Sequence, residues 1–132
     1  MLKLTKKIEY ALIALQHMQG KDHNDITSAK EVAEKFDLPA SLLAKVLQQL
    51  AKNEIIEPIQ GASGGYRLNK PLEKIKLNDF IEIIEGPVGL VDCLHDPDCN
   101  HMGTCNIRVP IERINNTIKD LFSNMTLADI TK

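Results

Sequence analysis

Residues 28–68 read SAKEVAEKFDLPASLLAKVLQQLAKNEIIEPIQGASGGYRL. Ser28 and Glu31 form the Ser-x-x-Glu pair of a capping box, so a helix is expected to start there. Val32, Ala33 and Phe36 supply its apolar face. It should stop near Asp37-Leu38-Pro39, because proline cannot continue a helix and disfavours helical geometry one residue earlier. Pro39 suits the first turn of a second helix, where its missing N–H costs nothing. That helix runs to about Lys52, with Leu43, Val46, Leu47 and Leu50 inward. Two short helices joined by a tight turn make a helix-turn-helix. Ile55–Gln60 reads as a strand, Gly61–Gly65 as a turn and Tyr66–Leu68 as the return strand. Pro58 places the first strand at an edge. A hairpin directly after a helix-turn-helix is a wing.

The flanks complete the pattern. Upstream, Leu4, Ile8, Ala11, Leu12, Leu15 and Met18 recur at helical spacing and predict a helix over Leu4–Gln19, ended by Gly20. Downstream, a short helix is expected over Leu77–Glu85, closed by Gly86-Pro87. A long helix begins near Pro110. Its Ile111, Ile114, Ile118, Leu121 and Met125 are spaced 3, 4, 3, 4, a narrow heptad seam for packing helix on helix, widened by Phe122. Thr126 and Asp129 are placed to cap a terminal turn. The fold class is mainly α with a small β-hairpin: a winged helix-turn-helix with a long C-terminal helix. Three parts are expected: a DNA-binding region over 1–87, a cysteine-rich loop over 88–106, and a C-terminal helix and tail over 107–132.

The chain has 132 residues and a net charge of −2, which does not advertise nucleic-acid binding. Its distribution does more. Residues 1–72 carry 10 Lys/Arg against 8 Asp/Glu, whereas residues 73–132 carry 6 against 10. A weakly basic front and an acidic back fit a DNA-facing half and a DNA-remote half. No apolar stretch approaches the ~20 residues that span a bilayer. The start, Met1-Leu2-Lys3-Leu4, lacks the apolar run of a secretory signal, so a cytoplasmic protein with no membrane association is expected. No nucleophile–base set or phosphate-binding loop stands out, and an enzyme is not expected.

All 3 cysteines fall in one segment, Cys93, Cys99 and Cys105, with five residues in each gap. An odd number of thiols is an awkward set for disulfides. It is a natural set for a metal centre that takes three thiolates and a further ligand from elsewhere. Zinc competes, because His95 and His101 lie between the thiols. Structural zinc sites, however, favour gaps of two to four residues, and the two histidines read more simply as solvated loop residues. His17 reads as a surface residue.

The opening LTKKIEYAL, the helix-turn-helix, the wing GASGGYRL, the segment LNDFIEIIEGP, the cysteine triad and the tail MTLADI resemble, in this order, the Rrf-two family of bacterial transcription regulators. The resemblance covers nearly the whole chain. It implies a homodimer built on the C-terminal helix and a pseudo-palindromic site in double-stranded DNA. It also implies an iron–sulfur cluster on Cys93, Cys99 and Cys105 and a sensor, of repressor type, of redox, nitric oxide or iron and cluster status. In the IscR-like branch a histidine three residues after the third cysteine completes the cluster; here Arg108 stands there. In the NsrR-like branch an acidic residue near the N-terminus, from the partner subunit, is the fourth ligand. Glu9 holds that position here, which favours [4Fe–4S] over [2Fe–2S]. The plain alternative for Glu9 is a solvated carboxylate beside Lys6 and Lys7. The base-reading Glu of the IscR-like recognition helix corresponds to Ala44, and a wing Arg to Gln60, so a different target sequence is implied. The alternative function is a winged-helix regulator whose thiols sense redox directly or hold zinc.

Cations and helix N-termini meet phosphates. Lys3, Lys6, Lys30, Lys45 and Arg67 are candidates for that role, and Ser28 is a further candidate DNA contact. Ser41, Leu42 and Lys45, in the first turns of the second helix of the pair, are placed to read base edges. Gly64 and Gly65 permit a tight wing tip near the DNA backbone, or a plain hairpin turn. Lys7, Lys35 and Lys52 read as solvated.

Overall fold

A computed structural model describes residues 4–22, 25–61, 64–86 and 106–131. Helix α1 spans Lys6–Gln19, α2 Ala29–Phe36 and α3 Ala40–Lys52. Strands β1 (Ile56–Ile59) and β2 (Gly65–Leu68) form an antiparallel hairpin. A 3-10 turn at Leu72–Lys74 precedes α4 (Leu77–Glu85), then come α5 (Arg108–Ser123) and α6 (Leu127–Ile130). This is a winged helix-turn-helix with a long C-terminal helix. Cys93, Cys99, Cys105, His95, His101, Lys3 and Pro87 lie outside the described residues, as does most of 88–106.

The core forms where the apolar spacing converges. Leu43, Val46, Leu47 and Leu50 of α3 are completely buried and meet Leu15 of α1, Val32 of α2 and Phe80 of α4 in one cluster. Buried apolar side chains of this size each contribute roughly 1.5–3 kcal/mol. Helix α3 is therefore the central element, and its polar face is what remains for other work.

Two inward assignments need correction. Leu4 precedes the helix and is 47% exposed, because Thr5 caps α1, its Oγ1 accepting from Ile8 N at 3.3 Å. Phe36 is 39% exposed; its ring sits edge-on to His17, with Lys35 Nζ over its face. The tight turn after it closes through Asp37 in the left-handed region, φ 53°, which Asp adopts more readily than most side chains.

His17 is also not a surface residue, since its side chain is only 10% exposed. The Ser28 and Glu31 pair makes half of the expected capping box. Ser28 Oγ accepts from Glu31 N at 3.0 Å. The Glu31 carboxylate turns instead to Lys21 and His17, which both donate to its Oε2. One carboxylate thus ties the end of α1 to the start of α2. These partners, Lys21 first and then His17, hold the Glu31 carboxyl below its ordinary 4.5.

The hairpin is docked onto the helix-turn-helix by backbone. Thr27 N donates to Tyr66 O and Tyr66 N donates to Thr27 O, both at 2.7 Å. Tyr66 spends its polar groups on Thr27, so the residue opposite it in β1, Pro58, needs no N–H. Gly65 is required by this approach. A Cβ there would lie 2.6 Å from Thr27 O and 2.9 Å from Ile26 Cγ2. Gly64 is required by the turn, its Cβ position being 2.5 Å from Ile59 O.

The tail folds back to hold α5. Leu77 N donates to Met125 O at 2.8 Å and Leu127 N to Ile75 O at 2.9 Å, and Leu127 is fully buried. Thr126 and Asp129 cap the terminal turn as expected, and do so as a capping box, with Thr126 N donating to Asp129 Oδ2 at 2.9 Å.

Replacing Gly65 with Ala should separate the hairpin from Thr27 and cost about 1–3 kcal/mol, as overpacking of a filled site does. Urea unfolding checks this; unchanged stability would mean that the contact has no structural weight. Glu31 has a second, pH-dependent consequence. Its folded-state pKa is depressed, so its contribution is complete above 4.5 and is lost as pH falls through the lower folded value. Glu31→Gln should therefore be less stable than wild type at pH 7, and the gap should narrow in acid below 4.5. A gap that stays constant down the pH scale would show that the carboxylate charge is not the stabilising feature.

Candidate functional site

Burial of α3 on one side leaves a stripe on the other. Ser41, Lys45, Gln48 and Lys52 are exposed, with Leu42 and Ala44 half-buried at its edge. The candidate base readers Ser41, Leu42 and Lys45 thus share the outer part of one helix, at its N-terminal half. Ser28 is different. Its hydroxyl caps α2, and the donor to it is Glu31 N, so its first role is local. Lys30 is exposed and reaches Glu34 at 4.0 Å, a weak contact on one helix.

On the hairpin, Arg67 is already engaged. Its Nε and Nη2 donate to Glu57 Oε2 and Oε1, each at 3.2 Å, a bidentate cross-strand pair set by the Glu57–Arg67 register. Arg67 also lines a small cleft with Met18, Gln19, Lys21, Asp22 and Asp25 at the end of α1. Gly64 and Gly65 carry the structural demands of the turn and of the Thr27 contact. The four hairpin and cap residues that sequence suggests for DNA contact therefore all have intramolecular roles.

Lys7 and Lys52 read as solvated in the sequence, and both are exposed. They stand with Lys45, Gln48 and Gln49 around an open groove between α1 and α3 of about 380 Å³. No carboxylate lines it. Gln49 is anchored there, its Nε2 donating to Ile83 O at 3.4 Å. Among the described residues none of the three lysines is in an ion pair, whereas Lys6, Lys21 and Lys30 all are. The signal in the sequence is the i, i+7 spacing of Lys45 and Lys52, which places both on one face.

Glu9, the candidate fourth ligand, lies in the first turn of α1. Its side chain is 45% exposed and meets Lys6 Nζ at 3.3 Å. The same end of α1 is tied to the end of α4, where Thr5 Oγ1 donates to Glu85 Oε1 at 2.7 Å. Cys93, Cys99 and Cys105 follow α4 in the chain, outside the described residues. Arg108, at the start of α5, pairs with Glu112 through Nε at 3.1 Å.

The heptad seam divides. Ile111 and Ile118 are half-buried, while Ile114 and Leu121 are 50% and 57% exposed. The buried residue of the helix is Asn115. Ile107 and Val109 extend the exposed apolar surface at its start. Among the described residues no helix is long and apolar enough to cross a membrane.

Comparison with known proteins gives a consistent result. The HTH-type transcriptional regulator NsrR of Bacillus licheniformis is 28% identical over 131 residues, 98% of this chain and 92% of that one. The solved structure of CymR, the global cysteine regulator of B. subtilis, matches with a TM-score of 0.75 at 27% identity, over 99% of this chain and 97% of that one. IscR of T. potens shares the fold, with a TM-score of 0.71 at 24% identity, over 98% of this chain and 85% of that one. The family model for Rrf2, described as an iron-dependent transcriptional regulator, matches residues 4–132. With that match running from the first turn before α1 to the tail that locks α5, the chain belongs to the Rrf2 family, and it is a transcription regulator rather than an enzyme.

Proposed function

We propose that the chain is a homodimeric, cytoplasmic regulator that binds a pseudo-palindromic operator and senses through an iron–sulfur cluster. The observation that carries the DNA part is the polar stripe of α3. It is the outer face of the helix whose Leu43, Val46, Leu47 and Leu50 are completely buried, and it stands beside a hairpin fixed by Thr27 and Tyr66. In this docking Ser41, Leu42 and Lys45 meet base edges in the major groove. Ser28, Lys30, Gly64, Gly65 and Arg67 lie toward the backbone, with Arg67 shared between Glu57 and phosphate. Residues 1–87 form the DNA-binding part, 88–106 the sensor loop and 107–132 the dimerisation part.

The exposed Ile114 and Leu121 support the dimer, since two apolar side chains one heptad apart need a partner surface. The sensor part rests on donor chemistry. Three thiolates are the soft ligands an iron–sulfur cluster takes, and a carboxylate is a harder and weaker fourth. Cys93, Cys99 and Cys105 with Glu9 of the partner subunit make that set, with [4Fe–4S] favoured over [2Fe–2S]. Such a cluster would supply a reactive iron corner; Glu9 and the three cysteines would then tie the sensor loop to the partner's α1, and without that tie the population of DNA-competent dimers would shift. The likeness to a global cysteine regulator supports a second reading, in which the thiols respond directly to redox state or hold zinc.

Arg67→Ala should weaken binding to all duplexes and lower the slope of log affinity against log salt by roughly 1.8, about 0.9 for each subunit of the dimer. Glu57→Gln should strengthen binding by releasing Arg67 and removing a nearby negative charge. Ser41→Ala should alter sequence preference instead. Salt-dependent anisotropy titrations check all three, and an unchanged slope in Arg67→Ala contradicts the hairpin docking.

Leu121→Glu leaves the single chain's core intact but puts a charge into the seam. An unpaired buried charge costs roughly 3–5 kcal/mol, so sedimentation should show monomer. A wild type already monomeric at micromolar concentration would sink the dimer.

Anaerobically purified protein should be coloured and contain iron and sulfide. Any one of Cys93→Ala, Cys99→Ala or Cys105→Ala should abolish the colour, and Glu9→Ala should shorten the cluster's lifetime. Colourless protein, or protein with zinc, would favour the second reading.

A further inference from the structure

The groove between α1 and α3 has a composition that the helix-turn-helix alone does not require. Lys7 comes from the first turn of α1; Lys45, Gln48, Gln49 and Lys52 come from α3. Three ammonium groups and two amides surround it, no acidic side chain enters it, and none of the three lysines is neutralised among the described residues. The nearby carboxylate on α1, Glu9, is taken by Lys6. Cations left together without partners repel one another, which a folded chain tolerates where an anion is to be received.

Helix length says which anion. From Ser41 to Lys52 the helix rises roughly 16 Å at 1.5 Å per residue. The major groove is only about 12 Å wide. With Ser41 and Lys45 among the base edges, Lys52 lies beyond the groove wall, over the sugar–phosphate backbone. Lys7 faces that same position from α1. We propose that Lys7 and Lys52, floored by Gln48 and Gln49, form a phosphate clamp that grips the DNA backbone flanking the half-site read by α3. The clamp rests on the DNA docking proposed above. It extends that docking to α1, and it contributes affinity and register but no sequence preference.

The test uses the full-length dimer and two DNA probes, a duplex selected for tight binding and a scrambled duplex, over a range of salt concentrations. The variants are Lys7→Gln, Lys52→Gln, the double variant, and Lys119→Gln on α5 as a control for net charge. Each clamp contact should contribute roughly 0.9 to the salt slope, which is about 8-fold in affinity at 0.1 M salt relative to 1 M. The dimer carries two clamps, so the double variant removes both contacts from each; it should lose roughly 4000-fold at 0.1 M on both probes and lower the slope by about 3.6. Its thermal unfolding should be unchanged, and Lys119→Gln should keep the wild-type slope. Wild-type slope in the double variant, with Ser41→Ala still shifting preference, would overturn the clamp and leave the docking intact. An equal loss in Lys119→Gln would also overturn it, by reducing the effect to net charge. A wild type that binds neither probe would overturn the docking and the clamp together.

Discussion

The pair of hydrogen bonds between Thr27 and Tyr66 sets the relation between the helix-turn-helix and the wing. Helices α2 and α3 are fixed to each other by side-chain packing, but a two-stranded hairpin has little core of its own and is marginal in isolation. Here it is registered onto the segment that caps α2, at 2.7 Å in both directions. Several other features exist because of that contact. Gly65 clears space for Thr27 O, and Pro58 is tolerated because its partner Tyr66 faces the other way. Thr27, 1% exposed, is buried to make the contact. A wing held by backbone cannot drift by one residue without inverting every side chain on it.

Helix α1 connects this winged helix-turn-helix unit to the rest of the chain. At its end, Lys21 and His17 hold Glu31 of α2. At its start, Thr5 holds Glu85 at the end of α4, just before the cysteine segment. Its first turn carries Lys7 into the cationic groove and presents Glu9 to solvent. A rigid helix fastened at both ends transmits a displacement rather than absorbing it. In the proposed regulator, the turn that offers a ligand to the partner's cysteines also offers a cation to DNA, which gives sensor and operator one shared element to bias.

Much of the fold is legible in the sequence because it follows from local rules. The helix-turn-helix, the hairpin and the bounds of α4 come from proline positions, glycine clusters and apolar spacing, and each stands within a residue of where those signals put it: β1 is Ile56–Ile59, β2 begins at Gly65, and Pro39 caps α3 from just outside it. The departures share a cause, which is contact across elements. The spacing of Glu31 permits a capping box, but two cations from beyond the helix compete better for its carboxylate. His17 reads as a surface residue because nothing local shows that α2 packs over it. Phe36 reads as core because helical spacing cannot tell a core edge from its centre. In the candidate interface, Ser41 and Lys45 follow from helix position alone. Lys7 does not, because its neighbours in the groove are some forty residues away in sequence. Arg67 stands out by its charge, whereas its partner Glu57 becomes visible only with the strand register. The family resemblance extends to the sensor, where composition and spacing leave zinc and iron–sulfur chemistry side by side.

In the proposed dimer, two-fold symmetry dictates the form of the target. Selection of the full-length protein against a pool of random duplexes reveals that form directly, whatever the operator is. The enriched sequences should contain two similar half-sites related by a two-fold axis, with centres about 10 base pairs apart or a multiple of that. Enrichment of a single unsymmetrical site, or no enrichment at all, would contradict the dimeric docking.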